Sequence, residues 1–198
     1  MSIATRWRYQ IARFYIVLRR NERAIHALKQ VLALDPSFAP AARELAFLYA
    51  AKGDTAQAIE QYETAIALDP HHADTLFNVG YLYHQNNDYD RAIDVFRRAV
   101  TQNPALDRAW YGMGLAYRSI GRPEDAAEAL EKAGKLQPLN GHAWYELGVT
   151  YYALGRYYKV QKTIEYLNGF EPGMTRQLMR ETPNRGLEPA PARSPDAA

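Results

Sequence analysis

Arginine, asparagine and aromatic rings are the side chains of this sequence best placed to do chemistry, and the chemistry they suit is recognition, not bond making. Arg43, Asn78 and Arg108 each carry N–H donors that could hold carboxylate oxygens. His71, His72 and Asp74 form the one cluster with the makeup of a metal site. Adjacent histidines point in different directions, however, so helix capping or solvent exposure is the better reading of that cluster. Catalysis needs a nucleophile or base in a shaped pocket. The sequence has no phosphate-binding loop, no serine-centred elbow and no pair of zinc-type histidines on one helix face. It also has no cysteine, which removes disulfides, thiolate nucleophiles and thiolate metal sites. A non-enzymatic protein without metal or cofactor is expected.

The elements that must position these side chains follow from a repeat. Pro36, Pro70, Pro104, Pro138 and Pro172 recur every 34 residues, a period that belongs to stacked helical pairs. A tyrosine column shares the interval, at Tyr15, Tyr49, Tyr83, Tyr117 and Tyr151. So does a column of small residues, Ala12, Ala46, Gly80, Gly114 and Gly148. Glycine inside a helix costs about 1 kcal/mol relative to alanine, so close approach of a neighbouring helix must compensate. The expected neighbour is the second helix of the same pair, which has its own small residues at Ala24, Ala58, Ala92 and Ala126 and again at Ala65, Ala99 and Ala133. Large residues at Leu28, Tyr62, Phe96, Leu130 and Ile164 follow at helical spacing. Breaks at Gly53, Asn87, Gly121 and Gly155 suit helix ends in the left-handed region, with Asp54 and Asp88 as N-caps.

These columns resemble the tetratricopeptide repeat family. Its pattern of aromatic, leucine, glycine, tyrosine, alanine, phenylalanine, alanine and proline is met by Trp110, Met113, Gly114, Tyr117, Ala126, Leu130, Ala133 and Pro138. The outer copies depart from it, with Arg8 in place of the aromatic and Val160 and Leu167 in place of alanines. The resemblance implies an all-α, right-handed helical-hairpin solenoid of five 34-residue repeats, at 5–38, 39–72, 73–106, 107–140 and 141–172 within residues 1–172. It also implies a concave groove lined by the first helix of each pair. On that reading the groove receives Tyr9, Arg13, Arg43, Phe47, Phe77, Asn78, Tyr81, His84, Arg108, Tyr111, Arg118, Tyr145 and Tyr152. One branch of the family grips a peptide carboxylate with side chains from three successive first helices. Arg43, Asn78 and Arg108 fit such a clamp, whereas Phe47 and Gly112 cannot donate to it.

The expected function is therefore a protein-interaction adaptor or scaffold that holds an acidic or carboxylate-bearing peptide, or a partner helix, in an aromatic and arginine-lined groove. The alternative is a self-associating oligomeric platform. Nucleic acid is a poor candidate, because a net charge of +2 lacks the broad basic stripe that phosphate contacts require.

Both ends of the chain carry separate expectations. Met1 to Arg20 contains five arginines and no acidic residue, which resembles a transit segment or a membrane-surface helix. Ala12 and Tyr15 fall in register with the later repeats, so the segment reads as the first helix of repeat one, still able to touch anionic lipid or an acidic partner. Beyond Pro172, residues 173–198 read as a short capping turn between Met174 and Glu181 followed by a disordered proline-rich tail. Without that cap, Tyr158, Tyr166 and Phe170 would be exposed and available for self-association. No apolar stretch reaches the roughly 20 residues of a spanning helix, and a cytoplasmic location is expected.

Overall fold

A computed structural model describes residues 2–183; the expected disordered tail lies almost wholly outside this range. Eleven helices and no strands are found among the described residues: α1 (Ile3–Val17), α2 (Asn21–Leu34), α3 (Ala39–Lys52), α4 (Thr55–Leu68), α5 (Ala73–Gln85), α6 (Tyr89–Gln102), α7 (Asp107–Ser119), α8 (Pro123–Leu136), α9 (Gly141–Ala153), α10 (Tyr157–Asn168) and α11 (Pro172–Glu181). The fold is an all-α solenoid of helical hairpins. Two compact units divide it, Met1–Pro104 with three hairpins and Ala105–Ala198 with two hairpins and α11.

Each hairpin turns through one residue in the left-handed region. Gly53, Asn87, Gly121 and Gly155 take it with φ of 85°, 60°, 72° and 68°, and Arg19 takes it in the first hairpin with φ of 53°. The two hydrogen bonds of the turn explain why the position is fixed. In the first hairpin Arg19 N–H donates to Ile16 O and Arg20 N–H to Tyr15 O; in the second Gly53 N–H donates to Ala50 O and Asp54 N–H to Tyr49 O. These bonds satisfy carbonyls left over at the helix end, and they can form only if the chain reverses its twist there. Arginine accepts the conformation at a cost that glycine does not incur.

The helix starts are set as the side chains dictate. Asp54 and Asp88 accept from the backbone N–H groups of Gln57 and Arg91, and His72 caps α5 by accepting from Thr75 N–H. The histidine cluster thus contains a helix cap, and no group of three or more potential metal ligands converges among the described residues. Asp35, Asp69, Asn103 and Gln137 end the second helices with ψ between 79° and 91°. Extended backbone of that kind is what the following proline imposes. Pro172 differs, because it opens α11 as well as ending a repeat.

The core of the first unit is built from Ala12, Leu28, Leu45, Leu76, Phe96 and their neighbours, and that of the second from Leu130, Leu147, Tyr151 and Val160. Close approach at the small-residue column is confirmed, with a correction to what fills it. A Cβ built on Gly114 would lie 3.3 Å from the Ala126 carbonyl oxygen, but 2.7 Å from Leu130, so a large side chain also lies over the glycine. At Gly148 the nearest atoms belong to Leu178 of α11 and none to α10. Val160 and Leu167 are buried where earlier second helices have alanine. The space that α10 would have closed is filled by α11 instead.

The segment after Pro172 is more than a short turn. It forms a ten-residue helix that packs on α9 and α10, buries Thr175 and Leu178, and sets Met174 against Gly141.

Candidate functional site

Tyrosine rings fix the walls from which any site must be built. Tyr49, Tyr83, Tyr117 and Tyr151 are buried, and a cation stands near the ring of each: Lys29, Arg91, Arg122 and Lys159, at 4.7 to 5.6 Å for Tyr49 and Tyr151 and 4.8 Å for the other two. Two of the hydroxyls donate to carboxylates on a preceding second helix, Tyr83 to Glu63 and Tyr151 to Glu131. Burial and the Glu63 bond push the Tyr83 phenol up to about 12. Glu131 behaves in the opposite sense. Its burial alone would raise its pKa, but hydrogen bonds from Tyr151 and Lys159 hold it below the ordinary carboxylate range. These ties are structural, and the tyrosine column alone did not reveal their partners.

In the first unit, four of the residues expected to line a groove come together. Phe47 on α3 and Phe77, Asn78 and Tyr81 on α5 surround a cleft of about 450 Å³, with Ala50, Tyr62, Leu82 and Gln85 completing its wall. Their spacing explains the convergence: Phe77 and Tyr81 are one helical turn apart and face α3 across the groove between helices. Phe77 lies with its ring centre 6.5 Å from that of Tyr81 and 6.0 Å from that of Phe96. Phe47 is 58% exposed and Tyr81 50%, so two large rings stand open to solvent at the cleft mouth. At the floor, Tyr62 lies beside Asn78, and burial pushes its phenol up to about 12. Gln85 donates to the Tyr81 hydroxyl at 2.8 Å.

The other expected residues of this unit have partners of their own. Tyr9 donates to Glu44 at 2.8 Å and meets Phe38 edge-on at 4.9 Å. Its phenol is pushed well above the ordinary value by burial and by the Glu44 bond. Glu44 is itself raised by burial, against the opposing pull of Tyr9, Arg13 and Arg43, and its Oε2 is buried without a hydrogen-bond partner. Arg13 Nε stands 3.8 Å from Glu44. Arg43 is paired with Asp69 at 2.9 Å. His84 packs against Tyr89 of α6 at 5.3 Å, away from the cleft, and burial lowers its pKa.

In the second unit, Arg118 is paired with Glu146. Tyr111 packs against the core cluster around Leu130, and burial raises its phenol. Arg108 is exposed on α7 and takes part in an interaction of its own. Tyr145 and Tyr152 are engaged by the segment following α10. Tyr145 donates to Glu181 at 2.5 Å and accepts from Gln177 at 3.0 Å, while the Tyr152 hydroxyl donates to the Pro183 carbonyl at 3.4 Å. Tyr145 is therefore tied to α11, and Tyr152 to the residues just after it.

One residue of the carboxylate-clamp set has such a partner. Arg43 already holds a carboxylate, so an incoming one would first have to displace Asp69. That pairing was not legible from spacing, because it joins α3 to the end of α4.

The pattern of the tetratricopeptide repeat matches residues 9–58, 43–107 and 111–158. The chain belongs to the tetratricopeptide repeat family. A comparison with curated protein sequences found no match. Among solved structures it is similar to a crystal structure of MamA protein, at 25% identity and a TM-score of 0.77, with 96% of this chain and 100% of that one covered. It is also similar in fold to YrrB, described as having an unusual peptide-binding site, at 20% identity and a TM-score of 0.79 over 87% of this chain and 90% of that one. PilF of Pseudomonas aeruginosa is a further neighbour in fold, at 23% identity and a TM-score of 0.72, covering 89% and 83%. As a tetratricopeptide repeat protein the chain has a fold that serves protein–protein interaction, and none of its described helices is long and apolar enough to cross a membrane.

Proposed function

We propose that this protein is a non-enzymatic adaptor that holds a peptide segment of a protein partner in the cleft between α3, α4 and α5. The observation that carries this reading is the convergence of Phe47, Phe77, Asn78 and Tyr81 on one open cleft, with two large rings exposed at its mouth. Exposed rings at the rim offer apolar area at little cost in side-chain entropy. Asn78 and the hydroxyls of Tyr62 and Tyr81 supply the few polar groups that orient a bound chain. The ligand chemistry follows from the lining. No residue lining the cleft carries a charge, so the cleft selects an apolar or aromatic side chain more strongly than an acidic terminus.

A displayed library of short peptides, selected on the intact chain and then measured by calorimetry, tests the reading. Phe47→Ala with Tyr81→Ala removes only exposed rings, so the helical content is expected to stay unchanged while affinity for the selected peptides falls at least about tenfold. Equal affinity for the double variant, or a library with no enriched peptide, overturns the proposal.

Self-association through the last hairpin and α11 is the second reading, favoured by Tyr158 and Tyr166 on α10 and Met179 on α11, which all remain exposed. Light scattering across a dilution series separates the two, because an obligate oligomer keeps its mass and an adaptor is monomeric.

A further inference from the structure

Helix α1 has two apolar faces, and the fold accounts for only one. Thr5 and Ala12 are buried against the rest of the first hairpin. On the opposite side Ile3, Trp7, Phe14 and Val17 are 91%, 68%, 60% and 79% exposed, and Leu18 continues the stripe just past the helix. Their spacing of four, seven and three residues keeps them on one side of a helix.

Register shows what this face does elsewhere. The positions matching Trp7 in the later repeats are Ala41, Thr75 and Ala143, and those matching Phe14 are Leu48, Leu82 and Thr150, all of them buried. In each of these repeats the first helix has a second helix of the preceding repeat packed against it: α2 on α3, α4 on α5 and α8 on α9. A helix can approach that closely because alanine or threonine stands at the contact. Trp7 is far too large for the same approach. The exposed face of α1 is thus apolar without being shaped for a neighbouring repeat, and it fits a fluid apolar phase better than a rigid helix.

Charge selects which apolar phase. Residues 2–20 carry Arg6, Arg8, Arg13, Arg19 and Arg20 and no acidic residue. Arg6 and Arg13 fall along one edge of the exposed stripe and Arg8 along the other, where long side chains can reach outward while the rings and aliphatic groups point down. Arg8 hydrogen-bonds Gln30 and Arg13 leans toward Glu44, while Arg6, Arg19 and Arg20 are exposed. A helix with this composition and these exposed rings lies flat in the headgroup region of an anionic bilayer.

We propose that α1 is an interfacial anchor, which docks this protein on anionic phospholipid surfaces by inserting Ile3, Trp7, Phe14 and Val17 with the arginines at the headgroups. The anchor is separate from the peptide cleft and does not depend on it.

Flotation of the full chain with phosphatidylcholine vesicles, with and without phosphatidylglycerol, is the test. Binding is expected only to the anionic vesicles, together with a blue shift of tryptophan emission. Trp7→Ala with Phe14→Ala should lose at least about tenfold in partitioning. Arg6→Gln and Arg20→Gln should each cost about fivefold. Trp7→Phe should keep most of the binding and abolish the emission shift, which assigns the signal to this ring and not to Trp110 or Trp144. All altered residues are exposed, so helical circular dichroism is the control for folding. Failure to bind anionic vesicles, or equal binding to neutral ones, overturns the proposal. So does a mass in light scattering that doubles for the native chain and halves for the Trp7→Ala, Phe14→Ala variant, since the face would then be an interface between copies.

Discussion

Gly148 and Leu178 form a pair whose coupling can be measured. Leu178 is fully buried, and truncating a buried leucine to alanine costs about 2–5 kcal/mol, with about 3 kcal/mol suitable for a single helix docked on one side. Gly148→Ala gains about 1 kcal/mol of helix propensity. Its new Cβ, however, would stand 2.6 and 3.0 Å from the two methyl carbons of Leu178, and overpacking of that kind costs about 1–3 kcal/mol. The single variant should therefore lose about 1 kcal/mol net. In the double variant the obstruction is gone and the propensity gain remains, so the loss should be about 2 kcal/mol where simple addition gives about 4. Urea unfolding followed by circular dichroism, with the midpoint and slope compared across the four proteins, measures this directly. Additive losses would refute the reasoning, because they would mean that α11 does not rest on Gly148.

Two further outcomes are expected. Arg19→Gly should raise stability by about 0.5–1 kcal/mol, since relief from the left-handed conformation outweighs the added freedom of the unfolded chain, and an unchanged or lower urea midpoint would show that the arginine side chain contributes something the turn geometry does not. Glu131 has a folded pKa below its ordinary value of 4.5, so it contributes stability above that value which is lost as pH falls through the lower, folded one. Glu131→Gln should flatten the acid side of the stability profile below about pH 5, and an unaltered slope would assign the acid sensitivity elsewhere.

The hairpins could be read from the sequence because their determinants are local. A proline forces the residue before it to be extended, and glycine or asparagine marks a left-handed turn, whatever lies across the fold. Arg19 shows the limit of that logic. Its type argues against the left-handed region, yet the bonds to Tyr15 and Ile16 carbonyls impose it, and only the register of the other four turns could have pointed there. For the aromatic cleft, Phe47, Phe77, Asn78 and Tyr81 were candidates because the family resemblance implies a groove along the first helices, but their neighbours on α4 and at Gln85 were not legible. For the arginines, charge type was visible and pairing was not. Asp69 reaches Arg43, and Glu146 reaches Arg118, through helix packing that no spacing rule within one helix describes. The exposed face of α1 was hidden for the opposite reason, since Trp7 and Phe14 occupy register positions that are interior everywhere else.

The seat of α11 also constrains how this chain can be re-engineered. A hairpin grafted after Asn168 would compete with Leu178, Gln177 and Glu181 for the surface made by Gly148 and Tyr145. Removing α11 to make room leaves a bare glycine and strips the Tyr145 phenol of Glu181 and Gln177, so the graft must bring its own bulky aliphatic group and its own hydrogen-bonding partners. Lengthening the array at that junction is therefore a problem of replacing a plug, and a graft chosen only for its resemblance to the preceding hairpins would leave a hole.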